Sequence, residues 1–342
     1  MGAILVVNAG STSLKLSVVR DDESSEPVSS LEAAAAADVD AVAHRVVHGG
    51  PQFTEPVVID DAVRRAIGDL ESLAPLHNAP ALRGIQEAGA SHPDVPHVAV
   101  FDTAFHATIP PAASTYAVPR RWREDWGIRR YGFHGLSVQW AAERVPAGRM
   151  VVCHLGGGCS VTAVRDGRSV DTTMGFTPLE GVPMSTRSGS VDPGALLYLL
   201  REAGLDAKAI DHALNADSGL AGLAGSGEMA EVGARAEGGD QDALLALDVF
   251  SYRVAAAVAA MAMAAEGLDA LVFTAGIGEG SALARARICA RLAFLGVELD
   301  SEANRAARPD ADVSPPGAVV RVTVVRARED LVAARAARAL LR

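Results

Sequence analysis

A chain of 342 residues exceeds one ordinary core, and at roughly 100–200 residues per domain it predicts two domains. Apolar residues at 49% and charged residues at 21% describe a globular chain and exclude global disorder. The net charge of −11 argues against duplex nucleic acid and anionic membranes as partners, because phosphate contacts need Lys and Arg. It leaves room for a small anion held by one or two local arginines.

The first element is a buried run, Ile4 to Val7, and Leu14 to Val19 completes a hairpin around the small polar turn at residues 8–13. Residues 21–40 read as an acidic, Ser-rich loop followed by a short Ala-rich helix, with no chemistry in them. Asp60 and Asp61 open a helix striped by Val63, Ala66, Ile67 and Leu70, which Pro75 stops. Pro80 opens the next helix and Gly89 closes it. His97 to Phe101 is a buried strand that delivers Asp102 at its C-terminal end. Near residue 150 the opening pattern returns: an apolar strand at Met150–Cys153, a Gly/Ser turn at 154–160, a return strand at Val161–Val164, and a third strand after Asp166-Gly167. Two copies of one strand-turn-strand unit imply two related α/β domains facing each other. Asp192-Pro193 caps a helix, residues 241–266 form a long Ala-rich helix, and Ala270–Phe273 is a strand running into a third glycine-rich turn at 274–280. The terminal helix carries Arg335, Arg338 and Arg342 on what reads as a solvated face.

Cys153, Cys159 and Cys289 cannot all pair and read as buried reduced thiols. No charged segment followed by an apolar one opens the chain, and the apolar run Val254–Ala265 falls short of the ~20 residues that span a bilayer. A cytoplasmic protein is expected.

Three glycine-rich turns, each following an apolar strand, suit backbone N–H groups that approach an anion closely. None is a Walker A loop, and Gly276-Ile277-Gly278-Glu279-Gly280 lacks the spacing of the dinucleotide fingerprint. The reading left is a nucleotide between two domains. His44 and His48 stand four apart, but the surrounding Val and Gly pairs argue against the helix that a metal-binding pair needs. Arg45 lies in an apolar strand and Arg187 in a loop of small residues, so each calls for an anion. Asp102 sits where open α/β sheets bind ligands, and His134 lies between glycines and aromatics. Two arginines, a histidine, an aspartate and phosphate-type turns suit phosphoryl transfer, which depends on charge stabilisation and in-line positioning.

These residues fall in segments that resemble the acetate kinase family of short-chain acyl kinases, within the sugar kinase, Hsp70 and actin fold group. The segments include VVNAGSTSLK (6–15), AHRVVHGG (43–50), LAPLHN (73–78), FDTAFH (101–106), RRYGFHG (129–135), HLGGG (154–158), MGFTPLEGVPMSTRSGSVDP (174–193), FTAGIGE (273–279) and REDLVAAR (328–335).

The resemblance implies two duplicated actin/ribonuclease H-like α/β domains with the active site in the cleft between them. Residues 1–148, completed by the helix 331–342, would form the acyl-substrate domain, and 149–330 the nucleotide-binding domain. It implies reversible phosphoryl transfer from ATP to acetate with Mg²⁺ or Mn²⁺, giving acetyl phosphate and ADP, and a homodimer. Propionate or butyrate are the alternative substrates, and a catalytically weakened homologue using another phosphoryl donor is a further alternative. Carried over residue by residue, Arg45 and Arg187 would clamp the carboxylate and the transferring group. His134 would stabilise that group's oxygens, and Asp102 would be an essential acid near the reacting centre. Asn8 and Glu329 would lie by the metal. Val47, Leu76, His77, Phe133 and Pro178 would border the substrate. Ser11, Ser13 and Lys15, with His154, Leu155, Gly156, Gly157 and Gly158, would hold phosphates. Glu228, Met229 and Ala230, with Gly276, Ile277, Gly278, Glu279 and Gly280, would take the adenosine side. Three departures fall in the nucleotide pocket: Gly157 stands for the usual Asn, Ala230 for an Arg, and Gly280 for an Asn.

Overall fold

The computed structural model describes residues 2–9, 14–35, 38–70 and 75–342, and the side chains of these except at 35 and 75–77. Two six-stranded sheets organise it. The first holds β1 (Ile4–Ala9), β2 (Leu14–Val19), β3 (Ser25–Val28), β4 (Ala41–Val46), β5 (Val57–Val58) and β6 (His97–Phe101), in the order β3-β2-β1-β4-β6-β5. The second holds β7 (Arg149–Leu155), β8 (Cys159–Arg165), β9 (Arg168–Thr172), β10 (Ala270–Thr274), β11 (Ala311–Asp312) and β12 (Arg321–Val324), in the order β11-β12-β10-β7-β8-β9.

The two sheets are the same design. Each opens with a three-stranded antiparallel meander (β1-β2-β3 and β7-β8-β9). Each then adds two parallel strands (β4 and β6; β10 and β12). Each ends on a two-residue antiparallel edge strand, β5 or β11. The fold is therefore a duplicated α/β architecture, as the repeated strand-turn-strand pattern predicts. The parallel strands are covered on both faces, which explains why β4, β6 and β10 read as near-continuous apolar runs.

By contacts the chain forms two compact units: Met1–Thr108 with Tyr116–Trp140 and Arg328–Arg342, and Ile109–Thr115 with Ala141–Ala327. This grouping departs from the expected boundaries at residues 109–115, 141–148 and 328–330. The last shift has a clear cause: Glu329 bonds to Asn8 and Asp330 to Ser25, which ties both to the first unit.

Several local expectations are corrected. Ser25–Val28 is a strand inside the segment read as a loop; it lies at the sheet edge, where Pro27 costs no ladder bond. The helix Pro75–Ser91 runs through both Pro80 and Gly89, because Ala81, Ile85 and Ala88 pack it onto the first sheet. Residues 275–280, read as a turn, form a short helix. Arg338 is not solvated: it is 7% exposed and its Nη2 donates to the carbonyls of Gly2 and Val19. Arg335 pairs with Glu23. The helix Gln241–Ala264 is long and apolar enough to cross a membrane by composition, yet Ala243, Leu247, Phe250, Val254 and Val258 are buried, as in a core helix. All three cysteines are free and buried, and burial pushes the Cys159 and Cys289 thiols up to about 12.

Candidate active site

In the first unit the site grows from the C-terminal ends of β1, β4 and β6, where open α/β sheets bind ligands. Asn8 and Arg45 are register partners on β1 and β4, so their side chains share one face. Asp102 follows β6 directly. Arg45 Nε donates to Asp102 Oδ1 at 2.9 Å, and its Nη2 donates to Oδ2. Its Nη1 donates to Asn8 Oδ1 at 3.0 Å, and Asn8 Nδ2 donates to Glu329 Oε2 at 3.0 Å. Glu329 also lies 3.7 Å from Arg45 Nε. One guanidinium thus faces two carboxylates and an amide, leaving the cluster with a negative excess. Burial works against the Arg45 cation, but Asp102 and Glu329 outweigh it and hold Arg45 firmly protonated. Burial raises the pKa of Asp102, and Glu329 adds to this, while the Arg45 fork opposes it.

Asp102 was expected to be an acid at the reacting centre. It is fully buried, and both of its carboxylate oxygens are bound to Arg45.

The segment that holds His134 and Gly135 is bonded to Asp102. His134 has φ +59°, a left-handed conformation that costs a β-carbon residue about 1–2 kcal/mol. Its backbone N–H donates to the Asp102 carboxylate, and the Gly135 N–H donates to the Asp102 carbonyl at 3.0 Å. A side chain at 135 would run into that carbonyl, which is why the position is glycine. Val47 and Phe133 are buried beside it. Asn78 fixes the loop after β4 by bonding both the N–H and the carbonyl of His48, each at 3.1 Å. Lys15 is exposed on β2, opposite Asn8. Ser11 and Ser13, and the side chains of Leu76 and His77, lie outside the described residues.

In the second unit β7 and β10 run parallel with His154 beside Thr274, so the two glycine segments that follow them emerge side by side. His154 and Leu155 are the last residues of β7, and the turn itself is Gly156–Gly158. A Cβ at Gly156 would lie 3.5 Å from Ala275 and 3.7 Å from the Gly276 nitrogen. Around Gly157, Gly276 and Gly280 the space is open. The Gly157 carbonyl accepts from Ser185 N at 3.4 Å, and Gly227 packs against Ser185. Segments 154–158, 185–187, 227–230 and 274–280 therefore converge. Arg187 Nη1 donates to the Pro178 carbonyl at 3.2 Å, and burial lowers the pKa of Arg187.

One residue of the expected adenosine side also ties the local fold together. Glu279 Oε1 accepts from Ala275 N at 3.0 Å and Ala327 N at 2.9 Å, so its carboxylate pins the short helix. Met229 and Ile277 are largely buried, whereas Glu228 and Ala230 are exposed.

Sequence reasoning missed His106, Asn78 and Arg285. Arg285 is 2% exposed and bonds to oxygens of Gly278, Glu279 and Asn304. Inside an Ala-rich helix it looks like a surface arginine. His106 and Asn78 lay within the quoted segments FDTAFH and LAPLHN.

The Acetokinase family model matches residues 29–335. The chain belongs to the acetokinase family. Over 302 residues it is 48% identical to the acetate kinase of Nostoc punctiforme, covering 86% of this chain and 74% of that one. It is 43% identical to the acetate kinase of Carboxydothermus hydrogenoformans, covering 87% and 77%. Among solved structures, a propionate kinase from Francisella tularensis gives a TM-score of 0.92 at 35% identity, covering 98% and 99%. Porphyromonas gingivalis acetate kinase gives 0.88 at 32% identity, covering all of both chains. As an acetokinase, this protein is a phosphotransferase with a carboxyl group as acceptor.

Proposed function

We propose that the protein transfers the γ-phosphoryl group of ATP to acetate, reversibly, giving acetyl phosphate and ADP. A carboxylate oxygen forms the new P–O bond as the bond to ADP breaks, and the electron pair leaves with ADP. The observation that carries this reading is the largely buried Arg45, bonded to Asp102 and Asn8. A guanidinium has five N–H donors. Three are committed here, so two remain for an incoming carboxylate or phosphoryl oxygen. Fixing the cation before substrate arrives spares reorganisation during transfer. Arg187 and His134 are assigned to the developing charge on the transferring group. The glycine segments at 156–158 and 275–280 are assigned to the nucleotide, with backbone N–H groups approaching its phosphates.

The donor set suits magnesium. Asn8 and Glu329 supply hard oxygens in a cluster with a negative excess. Among the described residues no three His, Cys, Asp or Glu side chains form a ligand set. That fits an ion that keeps waters and binds substrate phosphates, rather than one caged by protein. When bound, magnesium would neutralise phosphate charge.

Propionate is the second substrate reading, favoured by the likeness to the Francisella tularensis propionate kinase. One methylene discriminates by only about 1–3 kcal/mol. Comparing kcat/KM for acetate, propionate and butyrate tests the choice: the highest value with acetate is expected, and the highest with butyrate overturns it.

A cytoplasmic homodimer completes the proposal. The helix Pro193–Arg201 buries none of its residues and exposes Leu197, Tyr198 and Leu200, while the helix Gln241–Ala264 exposes Leu245, Tyr252 and Met263. Light scattering should give twice the chain mass, and a single-chain mass would refute the dimer.

A further inference from the structure

His106 lies in the turn Ala104–Thr108 just after Asp102 and is 2% exposed. Its Nε2 stands 2.9 Å from the Phe133 carbonyl oxygen. A carbonyl only accepts, so this nitrogen carries the proton and donates. That carbonyl belongs to the peptide joining Phe133 to His134. The N–H of the same peptide donates to the Asp102 carboxylate. In a trans peptide the C=O and N–H point in opposite directions. The two partners therefore grip one peptide plane from both sides, and the next N–H, at Gly135, is held by the Asp102 carbonyl. Between these anchors His134 keeps its left-handed φ of +59°.

We propose that His106 is a positioning residue: with Asp102 it clamps the Phe133–His134 peptide and so sets the direction in which the His134 side chain leaves the backbone. This rests on the reading of His134 as a group that meets the transferring phosphoryl. His106 itself bonds to backbone rather than to a reacting atom. It stays neutral in the working pH range, because burial pushes it down to about 4 against the pull of the Phe133 carbonyl. A misplacement of about 1 Å in a positioned group can cost on the order of 10²-fold in rate.

The test compares H106F, which fills the space without a donor, with H106Q, which keeps an N–H. H106F should lower kcat by about 10–10²-fold, equally at pH 6 and pH 8, and leave the KM for Mg-ATP within about twofold. H106Q should recover most of the rate. Amide exchange at Gly135 should quicken at least about tenfold in H106F. That readout needs no turnover, so it separates the clamp from the assignment of His134: a wild-type protein without kinase activity refutes the assignment, while exchange still decides the clamp. The clamp is overturned by a folded H106F with wild-type kcat and exchange. It is equally overturned by an H106Q as impaired as H106F, or by an H106F that is unfolded in circular dichroism, which would make the bond an anchor of the fold rather than of the site.

Discussion

Asp102 holds Arg45 by both carboxylate oxygens at the junction of two parallel strands, with Arg45 on β4 and Asp102 one residue beyond β6. The pair is bidentate and nearly dry: the side chains are 13% and 0% exposed. Removing the aspartate should therefore act twice. D102A leaves a buried cation with Glu329 as its remaining charge neighbour, and should cost about 3–5 kcal/mol of stability. It should also lower kcat by about 10²–10³, because Arg45 is no longer aimed. Urea unfolding and steady-state rates read the two effects separately; a variant as stable as wild type would show that the pair contributes no net stability.

Arg187 should matter to rate more than to stability. Its Nη1 bonds to the Pro178 carbonyl, and burial disfavours its charge. R187A is expected to lose about 10²–10³ in kcat, the scale for one lost transition-state donor, with an unfolding midpoint close to wild type. Near-normal turnover would remove Arg187 from the chemistry.

Two glycines give a contrast that needs no assumption about substrate. At Gly135 a Cβ runs into the Asp102 carbonyl and lies 3.0 Å from the Phe105 Cβ, whereas at Gly157 it meets nothing within 4 Å. G135A should destabilise by about 2–4 kcal/mol and silence the site; G157A should stay within about 0.5 kcal/mol of wild type. Equal effects in thermal melts would contradict the close approach at 135.

Acid should weaken the fold through two buried histidines. Burial, aided by the neighbouring His97, pushes His44 down to about 3, and burial pushes His106 down to about 4. Both titrate near 6.5 in the unfolded chain. Below that value the unfolded state binds more protons, so the contribution is full above about pH 6.5 and is lost as pH falls toward 4 and 3. At pH 5 each should cost about 2 kcal/mol relative to pH 7. The urea midpoint should drop accordingly, and H106Q should flatten the dependence by about one proton. A midpoint unchanged between pH 7 and pH 5 would contradict the burial argument.

The duplicated α/β plan was legible because β1 and β7 are each an apolar run followed in the sequence by glycine and serine. The helix through Pro80 was not, since its packing on two core clusters overrides the local cost of proline. Arg45, Asp102 and His134 could be picked out as polar groups in apolar or glycine-rich settings. Their contacts could not: the two bonds from Arg45 to Asp102 come from the pairing of strands far apart in the chain. The burial of Arg338 and Arg285 was equally hidden, because the carbonyls that receive them come from distant segments or from helix ends. The bonds of Glu279 to two backbone N–H groups were hidden for the same reason.

The most direct measurement is acyl phosphate formation from Mg-ATP and acetate, trapped as the hydroxamate, in the wild-type protein and in D102A. Multiple turnovers are expected in the wild type, with a loss of about 10²–10³ in the variant. A folded wild-type protein that forms no hydroxamate from acetate, propionate or butyrate would contradict the proposed transfer.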